Sequence, residues 1–217
     1  MPTLRSERVL TIPDCVQFQR QEKLRTAENL VENDDDAKLR LLIAMAAPSY
    51  EWQRTIEEQH YLISNKAGWL SHDFINQCFD RDEMNWTTSM PLTSLATTLA
   101  NSCTLGLYAS RAPFSGPSQQ GPAVPPTQIG FARLITDYVT LAYLTDVFIL
   151  PEYQGKGLGR WLIGCVRDVI DAMPELRRAL LLTGVNGKGV QFYERELNMK
   201  VFHAGDEDRV IMMYRKA

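Results

Sequence analysis

The sequence predicts an α+β fold of αβα layers, a mixed central β-sheet with helices flanking it. Three observations carry that prediction. "LAYLTDVFIL", Leu141 to Leu150, is nearly all apolar and runs into a glycine-rich turn, a helix and a second apolar run, "RALLLTGV", Arg178 to Val185. Strand, turn, helix and strand in that order make a parallel crossover unit. Upstream, "CTLGLYA" (Cys103 to Ala109) and "QIGFARLITD" (Gln128 to Asp137) read as hairpin partners, which adds antiparallel pairing. Between the turn and Arg178, Leu158, Trp161, Leu162, Cys165, Val166, Val169, Ile170 and Met173 recur at three- and four-residue steps, and Pro174 ends the run. That is the apolar stripe of a helix laid on a sheet.

Each element follows in order. Residues 1–58 form an N-terminal extension of undefined architecture, with a solvated acidic run "ENDDDAK" (Glu32 to Lys38) and an apolar "AKLRLLIAMAA" stopped by Pro48. The main domain spans 59–217. It opens on a strand, "YLISN" (Tyr61 to Asn65), followed by "SHDFINQCFD", a helix with a capping residue and Phe74, Ile75, Cys78 and Phe79 on one side. "LTSLATTLANS" is a second helix. Residues Pro113 to Thr127, dense in proline, glycine, serine and glutamine, are a mobile surface loop within the hairpin. The Leu141–Leu150 and Arg178–Val185 strands are expected to be buried. A short helix "GVQFYEREL" and a two-stranded tail, "KVFHAG" with "DRVIMMYRK", complete the chain.

Composition excludes several classes. A formal net charge of −3 over 217 residues gives no nucleic-acid surface. No apolar run is long enough to span a bilayer, so no membrane partner is expected. Cys15, Cys78, Cys103 and Cys165 are scattered, as are His60, His72 and His203, and no spacing suits a metal. The reading is reduced thiols in a cytoplasmic protein without a metal cofactor.

The chemistry concentrates in "ILPEYQGKGLGRWLIG", Ile149 to Gly164. Glycine is a poor strand or helix interior residue, and Gly155, Gly157 and Gly159 stand at alternate positions where the helix opens. The free amides of a first turn and the positive end of the helix dipole make such a place an anion site, above all for phosphates. Close packing at a strand-to-helix corner is the competing reason for glycines there. The spacing departs from the Gly-x-Gly-x-x-Gly of dinucleotide folds, and no nucleotide-triphosphatase loop is present.

Gln154-Gly155-Lys156-Gly157-Leu158-Gly159 resembles the acetyl-CoA-binding motif of the GCN5-related N-acetyltransferases (GNAT), Gln/Arg-x-x-Gly-x-Gly/Ala. Asn186-x-x-Gly189-x-x-Phe192-Tyr193 resembles that family's second signature, with glycine where alanine is commoner. In element order the resemblance covers Tyr61 to Tyr214 and is strongest from Gly130 to Tyr193. It implies an acyl-CoA N-acyltransferase-like fold and direct transfer of an acetyl group from acetyl-CoA to a primary amine, of a small molecule or a protein, in a ternary complex. Gln154, Gly155, Lys156, Gly157, Leu158, Gly159 and Arg160 would hold the pyrophosphate region. The preceding strand would carry a bulge and splay from its parallel neighbour, leaving Val147 and Ile149 to pair with the pantetheine arm. The Val147 N–H would polarise the acetyl carbonyl, and Asn186 would meet the arm from the other side. Tyr193 stands where the family's general acid stands; its bland alternative is an amphipathic-helix residue with a wet tip.

Asp146 admits two roles, as a base or as a structural carboxylate partnered by Arg133. Tyr143 is a further candidate base. Phe74, Trp86, Tyr108 and the loop near Pro113 are candidates for an acceptor pocket suited to a small amine. No cysteine falls in either signature, and Cys165, on the apolar face of its helix, reads as core. A cofactor-binding regulatory module of the same fold, with little catalysis, is the alternative function, and the extension could serve as a partner-binding scaffold in either case.

Overall fold

The computed structural model describes residues 48–114, 126–184 and 188–202. The chain divides into two compact units, Met1–Leu181 and Leu182–Ala217. Among the described residues the first holds six strands, β1 (Glu51–Ile56), β2 (Gln59–Ser64), β3 (Cys103–Ser110), β4 (Thr127–Thr136), β5 (Leu141–Ile149) and β6 (Arg178–Leu181), and three α-helices, α1 (His72–Phe79), α2 (Leu92–Ala100) and α3 (Leu158–Asp171). The second holds α4 (Gly189–Leu197). The acidic run, the "AKLRLLIAMAA" segment, most of the proline-rich loop, Asn186 and the two-stranded tail lie outside the described residues.

The strands pair in sequence order, β1 to β6. All pairings are antiparallel except β5 with β6, which α3 connects as a parallel crossover. The sheet is therefore mixed, as the sequence predicts.

β1 comes from the segment read as an extension. It forms a hairpin with β2 through a two-residue loop, Glu57 and Glu58, both left-handed (φ 48° and 62°). This is the type I′ pattern, whose twist matches the flanking strands, here made without the usual Asn-Gly.

One face of the sheet carries α1 and α2. Ile75, Cys78, Phe79, Met84, Leu95 and Leu99 close over Phe131 and Phe148. Ser71 caps α1 by accepting the Phe74 N–H at 3.2 Å, a contact whose loss costs about 1 kcal/mol in comparable helices. The helix α3 lies on the opposite face, next to Ile149, which alternates with Phe148. Its predicted stripe from Leu158 to Ile170 is buried throughout.

The β4–β5 turn is built around Asp137, whose carboxylate accepts the Val139, Thr140 and Leu141 amides at 2.9, 2.7 and 3.1 Å. The Thr140 hydroxyl, together with those amides, holds its pKa far below the usual carboxylate range. A turn fixed in this way sets the register of the two strands it joins.

Two strands are less buried than expected. β6 alternates exposed and half-buried residues, because it is the outer strand of the described sheet. β5 is buried at Ala142, Leu144, Asp146, Phe148 and Ile149, with Tyr143, Thr145 and Val147 only half-buried. In β4, Gly130 faces Ile149, and a β-carbon on Gly130 would lie 2.6 Å from the Phe148 carbonyl oxygen. A backbone oxygen cannot swing aside as a side chain can. Gly130→Ala is expected to destabilise the fold by about 2 kcal/mol through overpacking, read as a lower urea midpoint at constant m-value; an unchanged midpoint would show that β4 and β5 can spread at no cost.

Candidate active site

β5 ends at Ile149, and a 3-10 turn, Pro151–Tyr153, leads into the glycines. The Gln154 side chain folds back and donates from Nε2 to the Ile149 carbonyl at 2.8 Å, fixing the exit angle of the strand. Gly155 and Gly157 both have φ 77°, a left-handed conformation that costs other residues about 1–2 kcal/mol. A β-carbon at either would meet nothing within 4 Å, and one at Gly159 only the tip of Ile149 at 3.8 Å. Packing therefore does not demand the first two glycines. Backbone conformation does, and it leaves open space in front of the turn.

Gly157 is the N-cap of α3, with no side-chain cap. The first intrahelical bond runs from the Trp161 N–H to the Gly157 carbonyl at 3.1 Å, so the amides of the turn before it have no acceptor within the helix. A strand end, two left-handed glycines and a helix N-terminus together form a cradle for an anion. Lys156 is exposed, with its ammonium 5.3 Å from the centre of the Tyr153 ring, and Arg160 is exposed on the first turn of α3.

The strand before the cradle is interrupted. Phe131 pairs with Phe148 and Arg133 with Thr145, so Ala132 alone faces both Asp146 and Val147. This is a β-bulge whose first residue, Asp146, is left-handed at φ 50°. Glycine usually fills that position, and aspartate is among the few residues that tolerate it. The Asp146 side chain is held on both oxygens, accepting from Arg133 Nε at 2.7 Å and from the Thr145 hydroxyl at 3.0 Å. Asp146 and Arg133 are 6% and 14% exposed, so this is a nearly buried pair. The Arg133 partner named for Asp146 in one of its two sequence readings is in place.

Pairing of β5 with β6 ends at Leu144 with Leu181, two residues before the bulge. Beyond it, among the described residues, no strand lies on that side of β5. The Leu150 N–H donates to the Ile129 carbonyl at 2.9 Å, so strand alternation turns the Val147 and Ile149 amides away from β4, toward the open side. A bulged strand whose edge is unpaired among the described residues, leading into an anion cradle, can take an extended ligand with an anionic end.

In the second unit, Tyr193 lies half-buried on α4 with its ring 5.2 Å from that of Phe192. Burial raises its hydroxyl above the ordinary tyrosine pKa. Gly189 opens this helix where a β-carbon would overlap the Thr183 hydroxyl, a local reason for glycine in place of the commoner alanine.

The aromatic residues expected around an acceptor pocket are not brought together. Phe74 packs edge-on against Phe131 beneath α1. Tyr108 sits in a separate cluster with Leu62, Phe114 and Trp69, its hydroxyl buried without a partner. Trp86 is 57% exposed. The cysteines Cys78, Cys103 and Cys165 are buried free thiols, and burial raises the pKa of the first two to about 12 and about 11. Thiols so placed stay protonated at neutral pH and are inert as nucleophiles. Gly130, missed as a site residue in the sequence, lets β4 approach the cradle end of β5; an isolated glycine inside a strand pattern was its signal.

The family profile described as "Acetyltransferase (GNAT) domain" matches residues 125–196. The chain is 36% identical over 149 residues to the protein of Gibberella zeae named "Putative acetyltransferase FG08082", covering 67% of this chain and 82% of that one. A crystal structure of a GNAT-family protein from Xanthomonas campestris pv. campestris superposes with a TM-score of 0.54 at 24% identity, over 72% of this chain and 94% of the other. Both the glycine turn and most of α4 lie inside the matched profile. Sequence and fold agree that this chain belongs to the GNAT acetyltransferase family.

Proposed function

We propose that the protein is an acetyl-CoA-dependent N-acetyltransferase that moves an acetyl group directly to a primary amine. The observation that carries this reading is the junction of the bulged β5 edge with the Gly155–Gly159 turn. Left-handed glycines with open space before them fit a pyrophosphate, and the freed amides of Val147 and Ile149 fit the amide-bearing arm that follows it. Gln154 sets the turn, and Lys156 and Arg160 add positive charge at its rim. Acetyl-CoA, when bound, supplies an activated thioester.

The chain's own residues supply position and charge. The Val147 N–H donates to the acetyl carbonyl oxygen, where negative charge develops as the amine attacks. A fixed donor of this kind contributes a large share of the acceleration in acyl transfer. The Tyr193 hydroxyl, kept protonated by its raised pKa, donates a proton to the departing sulfur. Asp146 holds the bulge that turns Val147 outward, a positioning role in keeping with its engagement by Arg133 and Thr145. The raised pKa values of the buried thiols support transfer in a ternary complex over an acyl-cysteine.

The direct test is release of CoA from acetyl-CoA across a panel of primary amines, with Tyr193→Phe beside the native chain. Loss of one proton donor is expected to lower kcat about 100-fold, with the dissociation constant for acetyl-CoA unchanged. An equal kcat would remove Tyr193 from the reaction, and no turnover with any amine despite tight acetyl-CoA binding would leave a binding module.

A further inference from the structure

A cavity of about 380 Å³ opens where the β1–β2 hairpin loop meets the segment leading into the glycine turn. Glu57, Gln59, Tyr61, Glu152, Tyr153 and Lys156 line it. The volume falls at the small end of the range for small-molecule sites.

The side chains lining it are not satisfied by one another. Tyr61 is only 2% exposed and lines the cavity, yet its hydroxyl has no hydrogen-bond partner among the described residues. The ring is buried but the hydroxyl is not sealed off: it opens on the cavity, a polar group left for a ligand or water to meet. Burial first, then the proximity of Tyr153 and Glu57, raises its pKa. Neither Glu57 nor Glu152 is ion-paired among the described residues. The Gln59 amide group is committed to the Ser110 carbonyl.

Charge and size narrow the ligand. Two carboxylates stand against one ammonium, so the lining favours a cation over an anion. A bare metal ion calls for several oxygens within about 2.6 Å and would leave most of this space empty. The face of Tyr153 already accepts the protein's own Lys156 ammonium at 5.3 Å from the ring centre, which shows the geometry a cation takes there.

We propose that this cavity binds a small organic ammonium, with Glu57 and Glu152 as its charge partners, the Tyr61 hydroxyl as an inner hydrogen-bond acceptor and Tyr153 as its aromatic wall. Glu57 reaches the cavity from the left-handed hairpin loop and Glu152 from the 3-10 turn. The site adjoins the glycine turn through Lys156 but requires neither acetyl-CoA nor acetyl transfer.

The test is an NMR titration of the full chain, without acetyl-CoA, using benzylammonium chloride and its neutral analogue benzyl alcohol. The ammonium is expected to bind saturably, with ring-to-ring Overhauser contacts to Tyr61 and Tyr153, and the alcohol at least tenfold more weakly. Glu57→Gln and Glu152→Gln, both at exposed positions, should each raise the dissociation constant at least fivefold with melting temperatures unchanged. Tyr61→Phe should raise it about threefold. No saturable binding, equal binding of the alcohol, or an unchanged constant in both glutamine variants would overturn the proposal. The last result would place the ammonium elsewhere, such as at the transfer site. Acetyl-CoA affinity, titrated separately, reports on the glycine turn alone, so the two readings can fail independently.

Discussion

Gly157→Glu is expected to abolish acetyl-CoA binding while the protein remains folded. The position is left-handed, so any side chain costs about 1–2 kcal/mol of stability, but a β-carbon there meets no atom within 4 Å. Steric repacking is therefore not required. The added carboxylate would project before the first-turn amides of α3, occupy the place of a phosphate and repel one that approached. A rise of at least 100-fold in the dissociation constant, about 2.7 kcal/mol, is the expected calorimetric result, with a melting temperature lowered by only a few degrees. Gly157→Ala separates the contributions, since it carries the backbone strain without the charge; it should weaken binding about tenfold. Native affinity in the glutamate variant would show that the cofactor's phosphates lie elsewhere, and the turn would then be a corner of the backbone and nothing more.

The second large effect is on stability. Asp146→Ala removes one member of a nearly buried ion pair and leaves Arg133 with an uncompensated charge 14% exposed. Breaking a pair of this kind costs about 3–5 kcal/mol, expected here as a drop in melting temperature on the order of 10 °C. Alanine also carries the left-handed strain that aspartate tolerates. Asp146→Gly relieves that strain, and pairing it with Arg133→Met removes both charges together. The double variant should be clearly more stable than the sum of the two single losses predicts. Strict additivity in that cycle would mean that the 2.7 Å contact contributes no coupling. Asp146→Asn keeps both left-handed tolerance and an oxygen for the Thr145 hydroxyl, and should be the mildest single change. If it were fully stable yet inactive, Asp146 would be a base and not a support.

Much of this was legible in the sequence, for reasons that can be named. The helix α3 announces itself because its apolar positions keep the helical period for four turns and proline stops them. The cradle is legible because glycine serves so few purposes at a strand-to-helix junction. The bulge is legible only through the family resemblance, since nothing in "LTDVFI" itself marks an extra residue; its place shows in register against β4. β1 was hidden for a different reason. "EWQRTI" offers only Trp52 and Ile56 as large apolar residues, and Glu57-Glu58 lacks the asparagine and glycine that usually signal a two-residue hairpin loop. The apolar "ALL" of β6 suggested burial, but Leu180 is 45% exposed on an outer strand. Pairing across a sheet decides exposure, and composition cannot supply the pairing.

The bulge at Asp146 has an arithmetical consequence. Before it, odd-numbered residues of β5 turn their amides toward β4 and even-numbered ones toward β6; after it, the parity is reversed. Deleting one residue there would restore a single parity along the whole strand. Val147 and Ile149 would then spend their amides on the neighbouring strand, and the sheet would zip shut. On the proposed reading, the place for a ligand as an added strand rests on one residue too many.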